Sequence, residues 1–237
     1  MFILSIFSVI RHILKWLVGL FFVSTILSVL LYKWIPVPIS PLMVIRCVEQ
    51  VGRGEKIRLK HHWVDKEKMS RYLPVAVLAS EDQRFYTHHG FDFKEIGHAI
   101  HERQTGKRQR GGSTISQQTA KNVFLWPESS WLRKGFEVYF TALIEIFWSK
   151  ERILEVYLNT IEMGDGIYGA EAVAQQHFKC TAHELTRAQC ALIAATLPNP
   201  LRYSSAHPSR YMMKRQLTIM KQMKHIDLVP GFGKPKS

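Results

Sequence analysis

Cysteine is scarce in this 237-residue chain, and no internal repeat is visible. Three cysteines without CxxC spacing exclude a disulfide framework and argue against a cysteine metal site. We expect Cys180 and Cys190 to be core thiols, with a bridge between them as the alternative. Sustained alternation of apolar and polar residues is also lacking, and the sequence therefore predicts a mainly α fold.

Acidic residues are few, and this leaves the chain strongly basic. Nineteen Asp and Glu stand against 32 Lys and Arg, which gives a formal net charge of +13. Only Arg11, Lys15 and Lys33 of these cations lie in the first 33 residues, so the excess belongs to the remainder. Such a balance suits anionic partners: phosphorylated substrates, acidic lipid surfaces or nucleic acid. Charge alone does not choose among them.

One long uncharged stretch runs over residues 16–32. Its length and apolar character predict a membrane-spanning helix. A cleaved signal peptide is the alternative, but the stretch exceeds a typical signal core and no small-residue cleavage site follows it. Cations before the stretch favour a cytoplasmic N-terminus, with the chain after residue 35 outside the cytoplasm. That location argues against nucleic acid as a partner.

Local signals predict where the remaining elements begin. Pro36, Pro38 and Pro41 indicate a stiff, extended connector. Helix starts are predicted from capping boxes at residues 92–95 and 181–184, from Ser129 or Ser130 opening an amphipathic run to Trp148, and from Pro208 as the first position of a last helix. Glycine-rich residues 103–112 and 164–169 are predicted loops.

Two blocks combine residue types that carry chemistry. Glu81 and Asp82 follow the apolar stretch 74–79, which could raise the pKa of a carboxyl group toward that of a general base. For an isolated pair the alternative is a solvated helix end. In residues 111–122, glycines lead into a helix start capped by Ser and Thr, a pattern suited to anion binding. Its alternative is an ordinary glycine loop.

Two further blocks are unremarkable when each is taken alone. Arg133 and Glu137 are four residues apart on one helical face, where such a pair is usually a surface ion pair. Residues 150–159 form an amphipathic helical pattern. Their order and spacing relative to the first two blocks are what make them informative.

Together the four blocks resemble the peptidoglycan glycosyltransferases of bacterial cell-wall synthesis, family 51 of the glycosyltransferases. The motif EDxxFxxHxG begins at Glu81, GGSTIxQQxxKN spans 111–122, RKxxE begins at Arg133, and ILExYLN spans 153–159. The resemblance covers about residues 73–220. The chain has no SxxK, SDN or KTG set of a transpeptidase, so it resembles the monofunctional form.

The resemblance implies a fold and a domain order. We expect a lysozyme-like helical lobe plus a smaller membrane-proximal hydrophobic lobe, preceded by one transmembrane helix. The expected regions are a cytoplasmic N-terminus (1–15), the anchor (16–35), the connector (36–64), the glycosyltransferase domain (65–226) and a tail (227–237). Members expected in the hydrophobic lobe, with the core as their alternative, are Val123, Phe124, Leu125, Trp126, Trp131 and Leu132.

The resemblance also implies a reaction and its partners. The growing glycan would move from undecaprenyl pyrophosphate to the 4-hydroxyl of lipid II, forming β-1,4 links with inversion. The enzyme would be a single-pass protein of the bacterial inner membrane with a periplasmic catalytic domain, inhibited by moenomycin. Partners would be lipid II, the growing strand, the membrane, and cell-wall synthesis or division proteins, but not nucleic acid.

The same resemblance assigns roles to residues. Glu81 would be the general base, and Glu137 would be a second catalytic glutamate near the donor phosphates. One alternative is that Glu137 acts through a divalent cation such as Mg or Mn. No organic cofactor is expected. The implied substrate-binding residues are Asp82, Phe85, His88, Ser113, Thr114, Gln117, Gln118, Lys121, Asn122, Arg133 and Lys134. Within this set, Asp82, Phe85 and His88 would shape the site. Glu155, Tyr157 and Asn159 are implied to be structural, with a substrate contact open for Glu155.

Two other functions compete with polymerisation. One is a lysozyme-like enzyme that cleaves peptidoglycan, because two carboxylates alone do not separate a hydrolase from a synthase. The phosphate-binding pattern with Lys121 and Arg133 favours synthesis, since a glycan-cleaving enzyme holds no pyrophosphate. The other is a non-catalytic membrane-bound partner of wall-synthesis proteins, against which the intact motifs argue.

Overall fold

The structure is a computed structural model that describes residues 2–104 and 112–233. It divides into two compact units, Met1–Pro36 and Val37–Ser237. Helices account for most of the described chain, which confirms the mainly α prediction. The finer expectation of a lysozyme-like lobe and a smaller lobe stays a prediction. The loop predicted at residues 103–112 lies largely outside the described residues.

The first unit is one long helix, α1 (Phe2–Tyr32). Its segment Ile10–Tyr32 has a mean hydropathy of 2.2 and is long and apolar enough to cross a membrane. The helix contains residues 16–32 of the predicted anchor (16–35), ends three residues before it, and extends it toward the N-terminus. This agrees with a single-pass membrane protein.

The second unit consists of short helices and a small sheet. Its helices are α2 (Pro41–Gly52), α3 (Tyr72–Glu81), α4 (Phe93–Gln104), α5 (Ile115–Phe124), α6 (Trp131–Phe147), α7 (Lys150–Thr160), α8 (Ala170–Val173), α9 (Arg187–Thr196) and α10 (Arg210–Gln222). Single 3-10 turns lie at Lys66–Lys68 and Met223–His225, and a π turn at Ala174–Phe178 follows α8. The strands are β1 (Lys60–His61), β2 (Glu162–Gly164) and β3 (Ile167–Tyr168).

Helices α3 and α7 form the centre of the core. Every residue of α3 from Leu73 to Ala79 is buried, as is every residue of α7 from Ile153 to Thr160. A helix buried on all sides must be covered by neighbours on all sides. Helix α3 packs on α9, which packs on α10, while α5 packs on both α6 and α7. Helix α3 is itself part of this core, and α5, which packs on α7, connects α6 to it.

Side-chain caps fix several helix starts as predicted. Asp92 accepts hydrogen bonds from the N–H groups of Lys94 and Glu95 at 3.1 Å and begins α4. Ser130 caps α6 by accepting from the N–H of Arg133. Such caps satisfy N–H groups that lack a helical partner, so they select the first residue of the helix.

Three predicted boundaries are wrong. Residues 181–184 make the contacts of a capping box but form only a turn, and α9 begins later, behind Thr186. Pro208 is not the first residue of α10, because Ser209 caps a helix that begins at Arg210. Pro41 does not continue an extended connector; it is the first residue of α2, a position where proline loses no hydrogen bond.

The predicted loop at 164–169 is also wrong, because this segment contributes to a hairpin. Strand β3 pairs with β2 in antiparallel and with β1 in parallel orientation, which gives the order β1-β3-β2. Gly169 ends the hairpin with a φ of +83°, and a Cβ there would lie 2.4 Å from the carbonyl oxygen of Asn159. Only glycine allows this close approach of two backbone segments.

The cysteines are all unpaired thiols. Cys190 is buried, as predicted for a core thiol, whereas Cys180 is partly exposed. The alternative of a bridge between them does not hold.

Candidate active site

The first motif places a carboxylate at the end of the central helix α3. Glu81 is the last residue of α3, and 14% of its side chain is exposed. Ser80 Oγ donates to Glu81 Oε1 at 3.0 Å, and Gln118 Nε2 donates to Oε2 at 3.3 Å. Burial raises the pKa of Glu81, because the charged form loses its water, while these hydrogen bonds and Arg215 lower it in part. Such a carboxylate suits a general base.

The adjacent carboxylate is engaged in structure. Asp82 lies 3.0 Å from His88 Nε2 and accepts the backbone N–H of Ile115 at 2.9 Å. It therefore joins the end of α3 to the start of α5. Phe85 is buried beside this pair, with the ammonium of Lys150 4.5 Å from its ring centroid. These contacts agree with a shaping role, which stays a prediction for all three motif residues.

The glycine that closes the first motif permits another close approach. Gly90 has a φ of +86°, and a Cβ there would lie 2.9 Å from Thr141 Cγ2 and 3.0 Å from Glu145 Cγ. Its carbonyl oxygen accepts a hydrogen bond from Thr114 Oγ1 at 2.6 Å. The residue thus packs the first motif against α6 and against the cap of α5.

The second motif divides into residues that build α5 and residues that face the site. Thr114 and Gln117 cap each other's backbone at the helix start, and Asn122 is buried. Gln118 faces the site, because it donates to Glu81 and accepts from the Tyr157 hydroxyl at 3.0 Å. Among the described residues, Ser113 has no side-chain hydrogen bond to the residues that cap α5 or to those that face the site.

Lys121 lies one helical turn beyond Gln118 on α5. Within the described part of the chain, no side-chain hydrogen bond or ion pair satisfies its ammonium group. Burial lowers the pKa of Lys121, the charge of Glu137 raises it, and the charges of Arg133 and Lys134 lower it. A largely buried cation without a protein partner is poised to bind an anion.

The third motif gathers charges around one carboxylate. Arg133 Nη1 donates to Glu137 Oε2 at 2.7 Å, and Lys134 Nζ donates to the other oxygen. Glu137 and Arg133 are both buried on the inner face of α6. We call Lys121, Arg133 and Lys134 the cationic cluster. Three cations around one carboxylate favour a multiply charged anion.

The residues do not form a metal site by themselves. Among residues 2–104 and 112–233, no three His, Cys, Asp or Glu side chains converge in a way that could hold a metal ion. Both oxygens of Glu137 already accept from cations. A divalent cation in this site would need ligands from a bound anion.

The fourth motif mainly ties α7 to the chain before α3. Glu155 accepts from the N–H of Lys66 at 3.0 Å and pairs with Arg152 at 2.7 Å. Asn159 exchanges hydrogen bonds with the backbone of Val64 at 2.9 Å in both directions. These contacts agree with the structural role implied for both residues. Tyr157 differs, because its hydroxyl donates to Gln118, which in turn donates to the candidate base Glu81.

The residues expected in a hydrophobic lobe fall into two groups. Val123 and Leu125 are buried, and Phe124 stacks on Phe140 with ring centroids 4.5 Å apart. Trp131 and Leu132 are 93% and 67% exposed at the start of α6. The core alternative therefore holds for the first group and a surface position for the second. Trp126 packs against Phe136.

Two residues at the site carry no sequence signal for it. Arg215 on α10 donates to Ser80 Oγ at 3.1 Å and lies 3.8 Å from Glu81 Oε1. Glu162 on β2 pairs with Arg46 at 3.6 Å and accepts from the Tyr168 hydroxyl at 3.2 Å, and its charge also acts on Lys121. Arg215 is far in sequence from Glu81, and Glu162 is far in sequence from Arg46, so spacing could not reveal these pairs.

A buried carboxylate with a raised pKa, joined through α5 to a cationic cluster, is an arrangement suited to an enzyme that acts on an anionic substrate. The sequence profile of the family described as Transglycosylase matches residues 49–224. The chain belongs to the transglycosylase family and is a glycosyltransferase, which confirms the resemblance found in the four motifs.

Several relatives support this assignment. Over 212 residues the chain is 63% identical to a biosynthetic peptidoglycan transglycosylase of Bacteroides thetaiotaomicron, covering 90% of this chain and 84% of the relative. Proteins of the same description from Bdellovibrio bacteriovorus and Caulobacter vibrioides are 51% and 50% identical. These two alignments cover 88% and 89% of this chain, and 85% and 90% of the relatives.

Proposed function

We propose that the protein polymerises the glycan strands of peptidoglycan, moving the growing glycan from undecaprenyl pyrophosphate to the 4-hydroxyl of lipid II. The observation that carries this proposal is that one helix, α5, contacts the candidate base and also contributes a cation of the cationic cluster. Gln118 holds Glu81, and Lys121, three residues further along α5, lies in the cationic cluster. The residue that contacts the candidate base and the cation for the leaving group are thereby one helical turn apart on α5.

Glu81 would act on the acceptor. The 4-hydroxyl is a poor nucleophile because its pKa lies far above neutrality, so it needs a base as it attacks. Its oxygen bonds to the anomeric carbon of the donor while Glu81 takes the proton. The bond from that carbon to the pyrophosphate oxygen breaks, and the electron pair leaves with the pyrophosphate. Attack opposite the leaving group inverts the anomeric centre and gives the β-1,4 link.

The cationic cluster would act on the leaving group. Pyrophosphate is a good leaving group, so it needs charge stabilisation more than a strong acid. Lys121 would bind it through its unpartnered ammonium, and Arg133 through donors that Glu137 keeps oriented. A divalent cation enters this proposal only as one held largely by the pyrophosphate oxygens, with Glu137 beside it.

Helix α1 fits a substrate whose lipid stays in the bilayer. We place the N-terminus in the cytoplasm and the catalytic unit in the periplasm of a bacterial inner membrane, because cations precede the span. Contacts with other cell-wall synthesis or division proteins belong to the same proposal. The exposed Trp131 and Leu132 provide an apolar surface for the lipid side of the substrate.

A polymerisation assay tests the function directly. The purified full-length chain is incubated with lipid II, and the products are separated by size. We expect a ladder of glycan strands. Release of fragments from preformed peptidoglycan, without new strands, would favour the hydrolase instead. Absence of both products from the folded protein would leave only a non-catalytic role.

The contact of Arg215 with Glu81 predicts a shift in pH dependence. Removing the cation in Arg215→Met takes away a charge that stabilises ionised Glu81, so the pKa of Glu81 should rise further. The acidic limb of kcat/KM should then move to higher pH, because the base must be deprotonated. Asp82 and Tyr157, the other titratable groups that act on Glu81, remain unchanged.

Two controls make this prediction specific. Arg215→Lys keeps a cation and should restore the acidic limb in part. Ser80→Ala removes the hydroxyl that donates to Glu81, a stronger influence on its pKa than the charge of Arg215, and should shift the acidic limb in the same direction by at least as much. An acidic limb identical in Arg215→Met and the unmodified enzyme would show that Arg215 does not tune the base.

A further inference from the structure

Helix α2 has an unusual distribution of side chains. Its inner face is buried through Leu42 and Met43. Its outer face consists of Val44, Val48 and Val51, which are 46%, 66% and 58% exposed. We call these three residues the valine face. Their spacing of four and three residues places them on one side of the helix.

The valine face lacks the charges that a solvated helix carries. A surface helix normally turns polar residues to water and apolar residues to the core. In α2 the two charged residues, Arg46 and Glu49, lie away from the valine face, where they pair with each other at 2.7 Å, and neither is fully exposed. Exposed apolar side chains continue before and after the helix at Ile39 and Ile57. The outward face of α2 is therefore apolar, and this is the reverse of the usual arrangement.

The chain itself keeps α2 near the membrane. The apolar segment of α1 ends at Tyr32, and α2 begins at Pro41. Nine residue steps of fully extended chain span at most about 30 Å. Pro36 and Pro38 restrict the connecting segment further. A surface of the bilayer lies within that distance wherever α1 crosses it.

The charge near α2 also suits a lipid surface. Residues 53–60 directly after the helix carry four cations against one carboxylate. Excess Lys and Arg beside an apolar helix face attract anionic lipid headgroups, while the apolar side chains enter the boundary with the acyl chains. The apolar face and the neighbouring cations thus favour the same partner.

We propose that α2 is an interfacial helix, which lies along the bilayer with the valine face in the boundary between headgroups and acyl chains. This inference rests on the proposed membrane anchoring of α1. It concerns residues other than those of the cationic cluster and of the exposed start of α6. The occupant is the same bilayer that α1 would cross, not a second copy of the chain.

The opposite side of α2 gives this contact a consequence for the site. Arg46 lies 3.6 Å from Glu162, and the charge of Glu162 acts on Lys121. The helix would therefore rest on the lipid surface and brace the anion-binding region at the same time. Such a brace would hold Lys121 at a fixed height above the acyl chains, where the phosphates of a lipid substrate lie.

Spin labelling of the full-length chain in vesicles tests the proposal. The labelled variant is Val48→Cys with Cys47→Ser and Cys180→Ser, in vesicles of phosphatidylethanolamine and phosphatidylglycerol. Cys190 can remain, because its burial raises the pKa of the thiol to about 12 and keeps it unreactive. The matched control is Glu67→Cys, at an exposed charged position of the same unit.

Collision rates with oxygen and with a water-soluble nickel chelate give the result. We expect the label at residue 48 to meet oxygen more often than nickel, and the label at residue 67 to show the reverse. Equal nickel access at both positions would overturn the proposal. Protection of residue 48 from both reagents would also overturn it, since that would indicate a protein partner.

Polymerisation by the same samples separates this inference from the proposed function. An immersed label in a protein without polymerase activity would support the interfacial helix and contradict the function. An exposed label in an active protein would contradict the interfacial helix alone.

Discussion

Replacing Glu81 with Gln is expected to abolish polymerisation while the protein stays folded and still binds lipid II. Glutamine keeps the shape of the side chain but cannot accept the proton of the acceptor hydroxyl. Loss of a general base typically lowers the rate by about 10²–10⁴. Strand synthesis by the purified variant, measured beside lipid II binding, checks this result. Turnover at the unmodified rate would remove Glu81 from the role of base.

The same variant should unfold at a higher temperature at neutral pH. Burial raises the pKa of Glu81, so the folded protein holds its ionised form at a cost in free energy. Above the ordinary glutamate pKa this cost is present, and a neutral glutamine removes it. A variant that gains stability while it loses activity indicates that the replaced residue serves function at a cost in stability.

Asp82→Asn is the matched control for that experiment. Asp82 accepts from both His88 and the N–H of Ile115, so the variant replaces one acceptor oxygen with an amide that cannot accept. We expect lower thermal stability in Asp82→Asn and higher stability in Glu81→Gln. Equal changes in the two variants would mean that the adjacent carboxylates have the same role.

The sequence motifs predicted which residues gather at the site, but not how each one is used. In the second motif, the helical phase decides the outcome. Thr114 and Gln117 cap the helix and Asn122 turns into the core, which leaves Gln118 and Lys121 facing the site. Polar residues in one motif look alike in sequence, because their roles depend on the direction of a side chain relative to neighbouring elements.

Other features escaped prediction because their signals are weak or distant. Strands β2 and β3 have three and two residues, too few for an alternating pattern to appear. The capping contacts at residues 181–184 form over one turn as readily as at a helix start. Arg215 reaches Glu81 only because α10 packs on α3 and α9, a tertiary contact that no local pattern contains.

Loss of the cationic cluster is the second large effect expected. Lys121→Ala and Arg133→Ala should each lower kcat by about 10²–10³, the loss typical for one preorganised group that stabilises a developing charge. Arg133→Lys should recover only part of the rate, because a planar guanidinium can bind a phosphate through two donors and an ammonium cannot. Initial rates with lipid II, measured at saturating substrate, check both expectations.

Stability separates the roles of the two cations. Lys121 has no ion-pair partner in the described chain and burial lowers its pKa, so Lys121→Ala removes an uncompensated charge and should not destabilise the fold. Arg133→Ala instead leaves the buried carboxylate of Glu137 with Lys134 alone and should lower the unfolding temperature. Lys134→Ala, at a half-exposed position, should affect rate least. Full activity in both Lys121→Ala and Arg133→Ala would place the pyrophosphate elsewhere, whatever their stability.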